Sequence, residues 1–250
     1  MAQILPFKMK NYLLCAFLFL ILKSNAQIAD SIVLPKPDNL HYKHFIIPAV
    51  FISGGLILLK SGENKILQSK IQAGLQYNFR TRIDDYTQFA PIIQVYGGRF
   101  LGLKSKNTIK QQTINLVVAN LITGGVIFGL KKTFKETRPD LSSDNSFPSG
   151  HTATAFTNAS ILFYEYKDSN IWYASSGYLF ATATGVLRIA NNRHFASDVL
   201  AGAGIGIGIG FVVSYWSPFQ SFTIGKNKKT NAFIYPQIGE SYGVGLLIRN

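Results

Sequence analysis

Cysteine is almost missing from this chain of 250 residues, with Cys15 its single example. Charge is scarce as well. Charged residues make up 15% of the sequence, against ~25% in an ordinary soluble domain, while 47% are hydrophobic. Acidic residues are the scarcer kind: 12 Asp and Glu stand against 25 Lys and Arg, for a formal net charge of +13. These shortages exclude a disulfide scaffold, a disordered chain and a collagen-like fibre. Internal repeats and low-complexity linkers are absent too, so the length suits one domain with a small appendage. A chain with so few charges must hide apolar surface in a large core or in lipid. Its basic excess points to anionic partners: lipid head groups, phosphorylated substrates or nucleic acid.

The first residues have the pattern of a targeting segment. Lys8 and Lys10 precede an uncharged run over 11–22, and Ser24-Asn25-Ala26 then offers small residues before Gln27. This predicts a secretory signal over 1–26, with an uncleaved signal anchor as the alternative. Cys15 lies inside the run and away from the cleavage point, so the processed chain would have neither a disulfide nor a thiolate metal site. The expected organisation is then apolar and interfacial segments over 27–85, a helical core over 86–217 and a tail over 218–250.

Long apolar stretches follow at 45–59, 86–103, 111–130, 147–164, 169–187 and 199–225, and 66–78 is polar enough for a surface or interfacial helix. The Ala-Gly-Ala-Gly-Ile-Gly-Ile-Gly-Ile-Gly run over 201–210 suits close helix–helix approach in a bilayer; a Gly-rich strand is the competing reading. Two β-like runs around 236–241 suggest a C-terminal hairpin. The predicted fold class is all-α: a helical bundle, multi-pass transmembrane, with a short β-hairpin-like appendage. The mean hydropathy of +0.16 is low for a wholly embedded bundle, so buried helices of a soluble periplasmic protein are the alternative.

Three clusters carry chemistry. Lys131 to Pro139 closes the 111–130 segment and by itself reads as the basic flank of a membrane helix. Phe147-Pro148-Ser149-Gly150-His151-Thr152 opens the next segment, where Pro and Ser are ordinary helix-start residues. Arg188 to Asp198 contains His194 and Asp198, four apart and able to face each other on a helix.

In this order and spacing the clusters resemble the type 2 phosphatidic acid phosphatase superfamily, whose pattern is Lys-x6-Arg-Pro, Pro-Ser-Gly-His and Ser-Arg-x5-His-x3-Asp. The chain has Lys131 with Arg138-Pro139, Pro148 to His151, and Arg188, His194 and Asp198. Leu187 stands where the family usually places Ser. The resemblance runs from about Tyr86 to Trp216, and the stretch from Asp84 and Asp85 to Pro91 also looks like the segment before the family core.

The resemblance implies a phosphatase working through a phosphohistidine: His194 as nucleophile, held in one tautomer by Asp198, and His151 as acid for the leaving alcohol and later as base for water. Phosphoryl transfer needs its equatorial oxygens neutralised, and Lys131, Arg138 and Arg188 offer three cations from separate segments. Gly150 would let backbone N–H groups at a helix start approach the phosphate, and Ser149 would donate its hydroxyl. No metal ligand cluster accompanies them, so metal-independent turnover without a cofactor is expected.

The expected partners are a phosphorylated lipid and the membrane. Nucleic acid is excluded because the basic residues are scattered, with no aromatic-lined stripe. Candidate lipids implied by the family are phosphatidate, phosphatidylglycerol phosphate, polyprenyl pyrophosphate and lipid A phosphates. The competing functions are a soluble exported acid phosphatase, a vanadate-dependent haloperoxidase (generally much larger) and a non-catalytic membrane scaffold.

Consecutive segments bring all three clusters to one end. The other end carries Lys104, Lys106, Lys110, Lys167, Lys226, Lys228 and Lys229. Positive charge marks the cytoplasmic side, which puts the active end of a bacterial cell-membrane protein toward the periplasm or exterior. Counting crossings from an exported start gives the opposite result unless one segment fails to cross, and 45–59 is the expected exception because it is only 15 residues long. His41 and His44 read as an interfacial flank.

Overall fold

The structure, a computed structural model, describes residues 40–217, 231–237 and 243–249. The predicted signal segment, Lys226, Lys228 and Lys229 lie outside the described residues. A 3-10 turn at Tyr42–Phe45 leads into α1 (Ile46–Lys60). It is followed by α2 (Glu63–Gly74), α3 (Ile83–Thr87), α4 (Ala90–Phe100), α5 (Ile109–Phe134), α6 (Gly150–Tyr166), α7 (Ile171–Ala190) and α8 (Ala196–Trp216). Strands β1 (Asn231–Gln237) and β2 (Gly243–Arg249) pair antiparallel, with Asn231 opposite Arg249 and Gln237 opposite Gly243. The all-α bundle expected from the sequence is therefore the observed architecture.

Local chemistry sets the helix starts. Thr108, Ser149 and Asn170 each accept a backbone N–H from the first turn of α5, α6 and α7, satisfying donors that have no helical partner. At α8 the carboxylate of Asp198 reaches back to the Phe195 N–H at 3.0 Å. Helix α6 is the central element, buried along nearly its whole length and packed by α5, α7 and α8.

The Ala-Gly run is helical, and small residues let α8 sit close to two neighbours at once. A Cβ on Gly202 would lie 2.6 Å from the Ser149 carbonyl, and one on Gly210 would lie 2.6 Å from the Ser160 Cβ, both on α6 or at its start. Gly204 turns the other way, where a Cβ would meet Pro48 and Ile52 of α1 at 2.7 and 2.8 Å. Gly202→Ala is expected to cost about 1–3 kcal/mol, because the obstacle is backbone and cannot swing aside. A thermal melt checks this, and the variant should also lose activity because the displaced carbonyl belongs to Ser149.

The contacts define two ends. At one, the Lys106 N–H bonds the Glu165 carbonyl at 2.9 Å, the Lys104 N–H bonds the Ser169 hydroxyl at 3.1 Å, and Tyr215 meets His44 Nε2 at 2.8 Å. At the other end, Asn64 of α2 reaches Ser197 and Gln68 reaches Asn192. His44 therefore belongs to a side-chain contact with α8 and is more than a bare flank.

Three expectations change. The 45–59 segment, expected to fall short of a crossing, forms with its 3-10 lead-in a 19-residue helix, Tyr42–Lys60, long and apolar enough to span. Its N-terminal end lies by Tyr215, while Gly55 packs against Ser197 and Ala201, so it runs the length of the bundle. The 86–103 segment is split instead: α3 ends at Thr87, and α4 begins beside Pro91 and is only 11 residues long. Helix α2 stops at Gly74, short of residue 78, and its inward face is amide-lined: Asn64, Gln68 and Gln72 are buried while Ile66 and Leu67 are exposed.

Two further helices, Ile109–Phe134 and Ala196–Trp216, have the length and composition of membrane spans. Outward-facing Val117, Leu121 and Phe128 on α5, and Ile47, Val50 and Ile57 on α1, suit hydrocarbon. The protein is a membrane protein. Lys60, Lys65 and Lys70, on or beside α2, join the end that holds the three clusters, so lysines flank both ends and loop charge alone does not orient the chain.

Candidate active site

His194 lies in the short connection between α7 and α8 and is 1% exposed. Its N–H bonds the Arg188 carbonyl at 3.3 Å, which folds the connection back over the end of α7. The ring Nδ1 sits 3.2 Å from Asp198 Oδ2. Asp198 is itself wholly buried and richly supplied with donors: the Phe195 N–H, the Ser146 hydroxyl, and the Ser197 hydroxyl at 3.0 Å from Oδ1. Ser197 is held in turn by Asn64 of α2 at 2.8 Å. The carboxylate orients the imidazole with Nδ1–H toward it, leaving the Nε2 lone pair outward. Burial pushes the His194 pKa down to about 4; Asp198 opposes this, and Arg188 and Lys131 add to it. The ring is therefore neutral at physiological pH.

Arg188 and Lys131 act on the His194 ring, and Arg138 lines a cavity with Arg188. Arg188, 7% exposed near the end of α7, donates from Nη1 to Asp84 Oδ2 at 2.7 Å. Asn191 Nδ2 holds the other Asp84 oxygen at 3.0 Å. Arg138 sits in the loop after α5, and burial lowers its pKa, with Arg188 and Arg193 adding to the effect and Asp140 opposing it. Lys131, on the last turn of α5, donates to the carbonyls of Asn145 and Ser146 and feels Arg138, Asp198 and Arg188. Stacking of Phe134 on Phe147, centroids 4.7 Å apart, ties that turn to the start of α6.

One pattern singles out the arginines. Arg138 Nε and Arg188 Nε are both buried without a hydrogen-bond partner. Buried charged donors left unpaired are costly, and here the two cations of the expected phosphate clamp share that feature.

His151 occupies the first turn of α6, with Nε2 3.0 Å from Asp85 Oδ1. It lines the same cavity as Arg138 and Arg188, of about 690 Å³. Burial, then Arg188, pull its pKa below the usual 6.5, while Asp85 pushes it back up. Ser149 is fully buried and acts as the helix cap: its Oγ accepts from the Thr152 hydroxyl at 2.9 Å and its N–H donates to the Asp198 carbonyl at 3.0 Å. A Cβ on Gly150 would meet nothing nearer than Ile127 at 3.6 Å, so protein packing does not demand glycine there.

All the expected residues thus come from separate stretches to one end of the bundle. Asp84, Asp85, Ser146, Ser197 and Asn64 were not foreseen in these contacts. For Asp84 and Asp85 the only signal was their place just ahead of the apolar core. Among the described residues no group of three or more His, Cys, Asp or Glu could hold a metal ion.

Comparison with known proteins follows the same residues. The model of the PAP2 superfamily matches residues 112–222. This region belongs to the PAP2 superfamily. The matched stretch takes in Lys131, Arg138, the Pro148–His151 motif, Arg188, His194 and Asp198, and leaves Asp84 and Asp85 outside it. The chain is similar to lipid A 1-phosphatase of Porphyromonas gingivalis, 39% identical over 140 residues, or 56% of this chain and 31% of that protein. It is also similar to lipid A 4'-phosphatase of Helicobacter pylori, 28% identical over 148 residues, or 52% of this chain and 68% of that one. The chain thus spans less than a third of the Porphyromonas relative's length. Among solved structures, Aquifex aeolicus LpxE matches with 23% identity and a TM-score of 0.45, covering 61% of this chain and 95% of that one.

Proposed function

We propose that this PAP2 protein is a metal-independent phosphatase that removes phosphate from a membrane lipid through a phosphohistidine. The observation that carries the reading is the state of His194: buried, neutral and aimed by Asp198, with Arg188 and Lys131 close enough to act on it. Its Nε2 would attack phosphorus as the P–O bond to the lipid breaks, with His151 giving its proton to the leaving oxygen. Water would then attack phosphorus, His151 taking a proton, and the P–N bond would break to release inorganic phosphate. The guanidiniums and the lysine would neutralise the three equatorial oxygens throughout, the role a metal fills elsewhere.

Support for a lipid substrate comes from the span-capable helices, which would hold an acyl chain beside the active end, and from the relatives named as lipid A phosphatases. A soluble exported phosphatase is disfavoured by the outward apolar faces of α1 and α5. Assay of the purified full chain against phosphatidate, phosphatidylglycerol phosphate, a polyprenyl pyrophosphate and lipid A tests the reading. Release from at least one is expected, and release from none would refute it.

His151 provides a pH test. His194 takes up a proton only below about pH 4, so the nucleophile is free across neutral pH. His151 serves as acid only while protonated, so kcat/KM falls as pH rises through its depressed pKa. Asp84, Asp85 and Arg188 are the charged groups that face it, and Asp85 raises its pKa. Asp85→Asn should therefore move the falling limb to lower pH on the same substrate. A merely structural Asp85 would scale the whole profile without moving it. His151→Ala should lower kcat by at least ~10^2, the usual weight of a general acid.

A further inference from the structure

The site has more cations than one phosphate requires. The cavity holding His151, Arg138 and Arg188 is also lined by Arg80, Arg82 and Arg193, and its volume of about 690 Å³ far exceeds a single phosphate, which displaces on the order of three waters of ~30 Å³ each. Carboxylates account for some of these charges. Asp84 pairs with Arg188 at 2.7 Å, Asp140 with Arg193 at 3.0 Å, and Asp85 with His151 at 3.0 Å. Arg80 and Arg82 pair with no carboxylate among the described residues; Arg80 Nη1 donates only to the neighbouring Phe79 carbonyl at 2.6 Å.

These two side chains stand on a fixed piece of backbone. Thr81, between them, is clamped in both directions by Asn191: its N–H donates to Asn191 Oδ1 at 2.9 Å, and its carbonyl accepts from Asn191 Nδ2 at 3.0 Å. The same Asn191 amide holds Asp84, the partner of Arg188. Arg80 and Arg82 are thus set in register with the phosphate clamp by a shared amide, although they lie 30 residues or more ahead of the matched PAP2 region.

We propose that Arg80 and Arg82 form a second anionic subsite in this cavity, for a second phosphate on the head group whose first phosphate is removed. The proposal deepens the phosphatase reading and rests on it for which phosphate is cleaved. A monoester dianion is matched in charge by Arg138 and Lys131, since Asp84 already balances Arg188. Arg80 and Arg82 then remain over, and guanidinium forks suit phosphate oxygens bidentately. The second phosphate can be joined to the first, as in a pyrophosphate, or sit elsewhere on a phosphorylated saccharide. The chemistry at Arg80 and Arg82 is the same in both.

Binding to non-hydrolysable ligands separates this claim from turnover. Dodecyl phosphonate, its methylene-bisphosphonate counterpart and a bisphosphorylated disaccharide lipid would be titrated into the full chain in detergent micelles, as wild type, R80A/R82A and R80K/R82K. The double alanine variant should bind at least one of the two-phosphate ligands about 10-fold more weakly, and dodecyl phosphonate within ~2-fold of wild type; the lysine pair should recover part of the loss. Loss on the methylene-bisphosphonate identifies a pyrophosphate-like substrate, and loss on the disaccharide alone identifies a second, distant phosphate. Equal weakening of the one- and two-phosphate ligands, or no weakening of either two-phosphate ligand, overturns the subsite. Wild type that binds selectively yet releases no phosphate from any lipid would sink the phosphatase reading and leave the subsite standing. A thermal melt of each variant confirms that the fold is kept.

Discussion

His194→Ala should lower lipid phosphate release by about 10^4-fold or more, because it removes the atom that would form the covalent intermediate. The fold should survive the change. Asp198 keeps the Phe195 N–H and the Ser146 and Ser197 hydroxyls as donors, so losing the imidazole leaves it buried yet still hydrogen-bonded. The cations of the proposed phosphate clamp are untouched as well. Binding of dodecyl phosphonate should therefore stay within a few-fold of wild type while kcat collapses. This split is the signature of a group that acts in the transition state and contributes little to ground-state binding. A variant retaining a tenth of the wild-type rate would contradict the assignment.

Arg188→Ala should be the most damaging change overall, because the residue has two separate duties. Its guanidinium faces the proposed phosphate position, and removing a donor of that kind typically costs ~10^2–10^3 in rate. It also neutralises Asp84, a carboxylate 1% exposed. Breaking a buried pair from one side leaves an uncompensated charge and costs about 3–5 kcal/mol of stability. Asn191 still donates to Asp84, which places the expectation at the lower end of that range. Adding Asp84→Asn to Arg188→Ala removes the stranded charge. The double variant should regain most of the lost thermal stability and none of the lost activity. Recovery of both together would show that Arg188 serves only the fold.

Much of the site was legible because it is written in local runs. Lys131 with Arg138, Pro148 to His151, and Arg188 with His194 and Asp198 each lie within a dozen residues, and the intervening apolar segments have lengths that return them to one end. The partners of those residues left no such trace. Asp84 meets Arg188 across 104 positions and Asp85 meets His151 across 66, and no periodicity links residues that far apart. Ser146 was hidden for a different reason. It stands just before the Pro148–His151 motif, and only the turn that brings its hydroxyl to Asp198 reveals it.

Helix limits taken from apolar runs did not mark the caps at Thr108 and Asn170. They failed again where length alone was the guide. The 45–59 segment gained a lead-in turn from Tyr42, Lys43 and His44, polar residues that an apolar-run criterion leaves out. The 86–103 segment reads as one apolar stretch interrupted by Arg99, yet the helical break falls ahead of Pro91, which starts α4. Helix α2 shows how composition can mislead. Its amides suggested a face toward water, whereas Asn64, Gln68 and Gln72 bond the ends of α7 and α8.

The most direct measurement is to trap the phosphorylated protein. The full chain would be mixed with a radiolabelled lipid phosphate and quenched with alkali, which spares phosphohistidine, then digested and mapped by mass spectrometry. The account predicts a base-stable, acid-labile phosphate on the peptide carrying His194, more of it in His151→Ala and none in His194→Ala. Label on His151 or Ser149, or turnover by the wild type with no phosphorylated peptide under any quench, would contradict it.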